Sequence, residues 1–161
     1  TIQIDYQLPI RFGLEFRGES ELDRPIIIHR AILGSVERMI AILTENFLGN
    51  WRFLLSPRQV MIIPVSHAYD VYAKTVAQRL WDAGFHAESD CSDLTLNKKI
   101  RNAELAHHTF ICVVGGKEQE DGTVNVRKCN KEGTDIVMAL EAMMQKLRDL
   151  EASKTRENFL Q

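Results

Sequence analysis

Two short runs, QVMIIPV (59–65) and TFICVVG (109–115), constrain the fold more than any other feature of the chain. Each is apolar at consecutive positions, so an extended strand built from it is apolar on both faces and has to lie inside a sheet with cover on each side. Helix-period sequence fills the space between them. Ser66 can cap a helix that turns Tyr69, Ala73, Val76 and Leu80 inward, with Gly84 closing it. FHAES (85–89) is a short strand, and Thr95 opens a second helix with Leu96, Ile100 and Ala103 on one face. Gly115-Gly116 lacks the G-x-G-x-x-G spacing of a phosphate loop and reads as a turn. Asp121-Gly122 is a hairpin signal, and TVNVR (123–127) alternates after it. Thr134 can cap a last helix whose stripe is Ile136, Val137, Leu140, Met143, Met144, Leu147 and Leu150. The resulting order, βαβαββα, predicts a mixed sheet covered by helices over residues 51–161. The polar tail EASKTRENFLQ is expected to fray.

The first fifty residues follow a different rule. Ile2, Ile4, Tyr6 and Leu8 alternate with Gln3, Asp5 and Gln7, which predicts a strand with one face buried, ended by Pro9. Phe12, Leu14 and Phe16 alternate again. After the charged turn RGESELDRP (17–25), Ile26, Ile27 and Ile28 begin a third strand, apolar throughout and therefore expected to be central. Consecutive antiparallel strands are the expectation. Ser35 suits a helix N-cap, Val36, Met39, Ile40, Leu43 and Phe47 follow at helical spacing, and Gly49 closes the helix. The stretch 49–59, with Pro57, places a domain boundary near residue 50, so 1–50 and 51–161 are read as separate pieces.

Composition narrows the function classes. Of 161 residues, 45% are hydrophobic and 26% charged, which excludes a disordered chain. The net charge of -2 excludes a global basic field, so any RNA contact has to be a local patch. No apolar run approaches the roughly 18 residues of a membrane span. Cys91, Cys112 and Cys129 are widely spaced with no C-x-x-C, as expected of a reduced, intracellular protein without a disulfide framework or a cysteine-based zinc knuckle. The opening TIQIDYQLPIRF lacks a starting Met, is neither a signal nor a transit peptide, and reads as strand sequence from within a domain, so the chain is expected to be a piece of a longer polypeptide.

Few side chains stand out as chemical candidates. His29 ends the isoleucine strand and is either a hydrogen-bonded strand-end histidine or a metal ligand; as a ligand it needs partners outside this chain, because the other histidines show no ligand spacing with it. Arg38 lies in the first turn of its helix, where the dipole mildly disfavours a cation but a phosphate fits, and a guanidinium adds bidentate pairing or stacking on a base. NKKIRN (97–102) is the one concentrated basic patch, either a solvated helix face or a phosphate or base contact. Arg127 and Glu118 can join that surface, Glu118 as an acceptor for base amino groups. No Ser/His/Asp set, Cys/His set or carboxylate pair appears.

TIQIDYQLPIRF followed by HRAILGSVERMIAILTE resembles the end of the catalytic domain of the threonyl-tRNA synthetases, and the second stretch is similar to the third signature motif of class II synthetases in its threonyl form. LSPRQVMIIPV, LNKKIRNAEL and FICVVGGKE with GTVNVR resemble the anticodon-binding domain of the same family, closer to its eukaryotic cytosolic branch than to its bacterial one. The resemblance implies a cytoplasmic, ATP-dependent threonine–tRNA ligase, homodimeric at full length, that joins threonine to its tRNA. It implies that His29 is one of three protein ligands to an active-site zinc, the other two, a cysteine and a histidine, lying before Thr1. It implies that Arg38 contacts ATP, which is used with magnesium, and serves as the catalytic residue. Thr1, Gln3 and Ser35 match positions lining the threonine and adenylate pocket. Asn97, Lys99, Arg101, Glu118 and Arg127 match the anticodon-contacting surface, while His107 stands where bacterial relatives carry an arginine. Alone, the 161 residues are expected to be inactive. The alternatives are a non-catalytic tRNA- or RNA-binding module built from the anticodon-binding domain, and a small α/β ligand-binding domain with no RNA role.

Overall fold

The computed structural model describes residues 1–18, 21–128 and 135–153. The chain divides into two compact units, Thr1–Leu43 and Thr44–Gln161.

In the smaller unit β1 (Ile2–Asp5) is followed by α1 (Gln7–Arg11), a short hairpin of β2 (Phe16–Arg17) and β3 (Leu22–Asp23), β4 (Ile27–Arg30) and most of α2 (Val36–Phe47), whose last four residues are counted with the larger unit. β1 pairs antiparallel with β4 and β2 with β3, as two separate ribbons. The predicted first strand therefore stops three residues early. Asp5 causes this: its Oδ1 accepts the amides of Gln7 (2.8 Å) and Leu8 (3.0 Å) and turns the chain into α1. Pro9, expected to end a strand, instead sits in the first turn of α1, where a missing amide costs no helical hydrogen bond, and it is the buried residue of that helix. Gly13, at φ +61°, bends the chain out of the second predicted alternation, leaving Phe16–Arg17 as its strand. The expected burial also fails. Ile28 is 63% exposed, so β4 is one half of a ribbon and not a central strand, and no residue of α2 is buried. An apolar pattern records which face a segment would bury; whether cover is at hand depends on the rest of the chain. Ser35 caps α2 as predicted, its carbonyl accepting Met39 N and its hydroxyl Arg38 N.

In the larger unit the elements are β5 (Val60–Pro64), α3 (Asp70–Asp82), β6 (Ala87–Ser89), α4 (Leu96–Leu105), β7 (Phe110–Val114), α5 (Gly116–Asp121), β8 (Thr123–Lys128), β9 (Ile136–Ala139) and α6 (Leu140–Ser153). The sheet order is β6-β5-β7-β8-β9, parallel across the first three strands and antiparallel across the last two pairs, so the predicted mixed sheet is present. One face packs Val60, Ile62, Phe110 and Cys112 against Val76 and Leu80 of α3 and Met143 and Leu147 of α6. The other packs Ile63 and Ile111 against Ile100 and Ala103 of α4. Phe53, in a 3-10 turn before β5, closes the first cluster against Phe85 and Phe110, with ring centroids 6.0 and 5.7 Å apart.

Three predictions in this unit need correction. Gly115-Gly116 opens a helix, α5, and is not a turn leading to a hairpin. Gly122, at φ +66°, is the left-handed C-cap of α5, so Asp121-Gly122 ends a helix where a two-residue hairpin turn was expected; β7 and β8 still pair antiparallel. The last helix starts at Leu140, because Ile136, Val137, Met138 and Ala139 pair with β8 as an edge strand. Two β-branched residues favour that pairing, and their spacing to Leu140 suits either structure. Thr134, the predicted cap, lies outside the described residues. The observed order is βαβαβαββα.

Leu80 is fully buried between α3 and the sheet, so Leu80→Ala should lower unfolding free energy by about 2–5 kcal/mol, measured by denaturant titration. His108, buried just after α4 with Nδ1 donating to the Ala103 carbonyl at 3.3 Å, is held below the ordinary imidazole value of 6.5, chiefly by desolvation. The unfolded chain then takes the proton first, so stability is full above about pH 6.5 and declines as pH falls below it. His108→Gln should flatten that limb of the pH–stability curve.

Candidate functional sites

The pleat of the β1–β4 ribbon assembles the first site. Thr1, Gln3 and Asp5 lie on one side of β1, and Gln3 pairs with His29 and Asp5 with Ile27, which puts His29 on the same side. His29 Nε2 and Asp5 Oδ2 are 2.9 Å apart, with His29 half-exposed. The Asp5 carboxyl sits below its usual range, first through the Leu8 amide and then through His29. A cleft of about 480 Å³ is lined by Gln3, Ile4, Asp5, Tyr6, Gln7 and His29.

The structure thus brings Gln3 and His29 together, and adds Asp5, which sequence reasoning passed over as an ordinary polar position of an alternating strand. Thr1, Ser35 and Arg38 do not line this cleft. Thr1 continues the ribbon by one pair, its carbonyl accepting Ala31 N at 2.9 Å. The Ser35 hydroxyl donates to Glu37 Oε2 at 2.6 Å and receives Arg38 N at 3.4 Å, which commits it to capping α2. The guanidinium of Arg38 is exposed and has no hydrogen bond or ion pair among the described residues. Among those residues no three His, Cys, Asp or Glu side chains are grouped to hold a metal ion, so His29 offers a single nitrogen donor.

The second site is the surface of α4, α5 and β8. Asn97 and Arg101 stand one helical turn apart on the exposed face of α4. Lys99 does not share it: two residues along a helix turns the chain to the far side, and Lys99 is 4% exposed beside the buried Ile100. Its charge acts inward on Asp70, whose carboxyl is lowered first by a hydrogen bond with His67 (Nδ1 to Oδ2, 3.0 Å) and more weakly by Lys99. The other oxygen of Asp70 is buried without a partner among the described residues. Glu118 accepts the Gly115 amide at 2.9 Å and so caps α5 with the carboxylate predicted to meet a base. Arg127 is tied to Asp135 at 3.4 Å. His107, at φ +59°, pairs with Asn50 at 2.8 Å. Gly49, at φ +81°, lets its ring approach, since an added Cβ would meet that ring at 3.2 Å.

Asn125 was also passed over. It shares a face with Arg127 between the buried Val124 and Val126, and its Oδ1 is buried without a partner among the described residues. The alternation of TVNVR carried the signal, because a polar residue two places before an arginine on one strand has to share its face.

Lys99→Met should leave the stability of the unliganded protein within about 1 kcal/mol of wild type, since the side-chain stem is buried in either residue and the ammonium has no hydrogen bond or ion pair among the described residues to lose. Chemical denaturation of the pair measures it; a larger drop in stability would mean that the charge is structural.

Comparison with known proteins covers both units. The family described as anticodon binding domain matches residues 59–150. The cytoplasmic threonine–tRNA ligase of Saccharomyces cerevisiae is 46% identical over 167 residues, which takes in 99% of this chain and 23% of the yeast protein. Human cytoplasmic threonine–tRNA ligase 1 is 52% identical over 164 residues, again 99% of this chain and 23% of the human protein. The crystal structure of the RNA binding domain of threonyl-tRNA synthetase from Cryptosporidium parvum superposes with a TM-score of 0.72 at 40% identity, over 92% of this chain and 38% of that one. The chain spans about a quarter of the length of these curated relatives. No helix among the described residues is long and apolar enough to cross a membrane.

Proposed function

The chain belongs to the anticodon-binding domain family, and from that premise we propose that it is part of a threonine–tRNA ligase, with residues 1–50 closing the catalytic domain and 51–161 binding the anticodon stem-loop. Identity that runs through 99% of the chain, across both units, carries the proposal. The full protein is cytoplasmic and homodimeric in this proposal. The threonine carboxylate attacks the α-phosphate of ATP to give an adenylate and release pyrophosphate, and a ribose hydroxyl of the tRNA then attacks the adenylate's carbonyl carbon to form the ester and release AMP.

Within that scheme the chain's own residues bind and orient. Gln3 and His29 share a cleft, and Gln3 offers an amide to substrate there. The free guanidinium of Arg38 suits the triphosphate, whose charge it offsets along with magnesium. Thr1 and Ser35 flank the pocket in the same scheme. The fit of His29 to zinc rests on its half-exposed ring over the cleft with one nitrogen already held by a carboxylate, a pattern common to ligating histidines. Zinc would supply a site for the threonine amine and hydroxyl. The physical need is discrimination: valine replaces that hydroxyl with a methyl, an apolar pocket separates such isosteres poorly, and a polar site rejects the methyl because a partner is left unpaired.

On the anticodon side, Asn97 and Arg101 have open side chains on one helical face, Arg127 is oriented by Asp135, and Glu118 sits part-buried at the start of α5, which it caps. Lys99 is the least accessible of the five and contributes by way of the Asp70 loop. Splayed anticodon bases are read by hydrogen bonds at their edges.

An arginine free to follow a backbone and one held by an ion pair should read different things. In the full-length protein, Arg101→Ala should weaken threonine tRNA binding uniformly across anticodon variants and reduce the salt slope by about 1. Arg127→Ala should cost about 1–3 kcal/mol and relax preference at one base. Filter binding across salt and anticodon variants tests both. Unchanged binding in both variants overturns the anticodon assignment.

A further inference from the structure

The geometry points to Asp5 as the residue that positions His29 for metal ligation, by fixing its ring and leaving Nδ1 as the ligating nitrogen; the inference rests on the proposed assignment of His29 as a zinc ligand.

Asp5 and His29 share one side of the β1–β4 ribbon, and Oδ2 of Asp5 lies 2.9 Å from Nε2 of His29. An ionised carboxylate only accepts hydrogen bonds, so the hydrogen belongs to Nε2. A neutral imidazole carries one N–H, so the lone pair able to bind a metal is then on Nδ1. Metal-bound histidines commonly donate their other nitrogen to a carboxylate, which fixes both the tautomer and the ring plane.

The carboxylate is itself anchored. Its other oxygen, Oδ1, accepts two backbone amides, Gln7 at 2.8 Å and Leu8 at 3.0 Å. Three hydrogen bonds from two directions hold the carboxyl plane, so Asp5 links the start of α1 to the ring of His29. The two oxygens divide the work. Oδ1 turns the chain, a structural task, while Oδ2 faces the histidine.

That division gives a clean test in the full-length protein. Asp5→Asn keeps an oxygen for the two amides but puts an NH2 donor opposite Nε2–H. The ring has to move its hydrogen to Nδ1 to recover the contact, and Nδ1 then has no lone pair for a metal. The expected result is an unchanged melting temperature of the metal-free protein together with zinc affinity about 10–100-fold weaker, measured by competition with a chromophoric chelator. His29→Ala is the companion. If His29→Ala loses zinc and Asp5→Asn holds it at wild-type affinity, the positioning role is overturned and the ligand assignment stands. If both variants hold zinc at wild-type affinity, the ligand assignment itself fails. A crystal structure of the zinc-loaded wild-type protein decides the case should Asp5→Asn fold poorly: zinc on Nδ1 of His29, with Asp5 on Nε2, supports the inference, and zinc on Nε2 overturns it.

Discussion

β5 and β7 lie side by side with side chains buried on both faces, and the larger unit is organised by that pairing. Val60 and Ile62 point into one cluster and Ile63 into the other, while Phe110 and Cys112 oppose Ile111 in the same manner. Two strands of this kind require helices above and below, and connections that cross over to reach them. α3 and α6 supply one layer and α4 the other. The loops that follow the parallel strands then gather at their carboxyl ends. Ser66 to Asp70 follows β5, Asp90 to Thr95 follows β6, and Gly115 opens α5 after β7. Those connections lead into α4, which carries Asn97, Lys99 and Arg101, and α5, which carries Glu118, so residues proposed to meet RNA depend on a pairing made largely by isoleucines and valines.

Most of this was legible because periodicity and burial agreed. The apolar runs at 59–65 and 109–115 are strands, and Ala73, Val76, Leu80, Ile100, Ala103, Met143 and Leu147 are buried on the helix faces their spacing marked. Errors fell where one residue pattern serves two structures. Ile136 and Val137 extend the stripe of α6 on paper and pair with β8 in space. Gly122 follows an aspartate, as in a tight hairpin, yet its left-handed conformation ends a helix. Both are local ambiguities that a cross-strand partner resolves, and a partner is what a one-dimensional pattern lacks. In the first unit the antiparallel pairing was legible and the burial was not: its alternation was clear, but Ile2, Ile4 and Ile28 remain largely exposed.

The site residues divide along the same line. Gln3 and His29 came together because antiparallel register places them opposite each other, which strand period alone suggests once the pairing is known. Asp5 was missed because an alternating pattern does not separate a solvated polar residue from one facing a histidine on the next strand, and Asn125 because the face it shares with Arg127, though carried by the alternation of TVNVR, matters only once Val124 and Val126 are buried. Lys99 was grouped with Asn97 and Arg101 on the family resemblance, and helical rotation sends it inward.

Carboxylates anchored to backbone amides recur at both sites, and this explains how short, exposed elements hold functional side chains in place. Asp5 takes the amides of Gln7 and Leu8 on one oxygen and meets His29 with the other. Glu118 takes the Gly115 amide on Oε2, which fixes its place at the start of α5. A carboxylate held by amides is favoured in its ionised form, as the lowered value of Asp5 reflects, so it stays an acceptor across neutral pH. Held through a chain turn by backbone amides, it has little freedom left to lose on meeting a ligand. The smaller unit has few buried residues to lend rigidity. What precision its cleft possesses comes from that amide-bound carboxylate and from the register of a two-stranded ribbon, four residues to a strand.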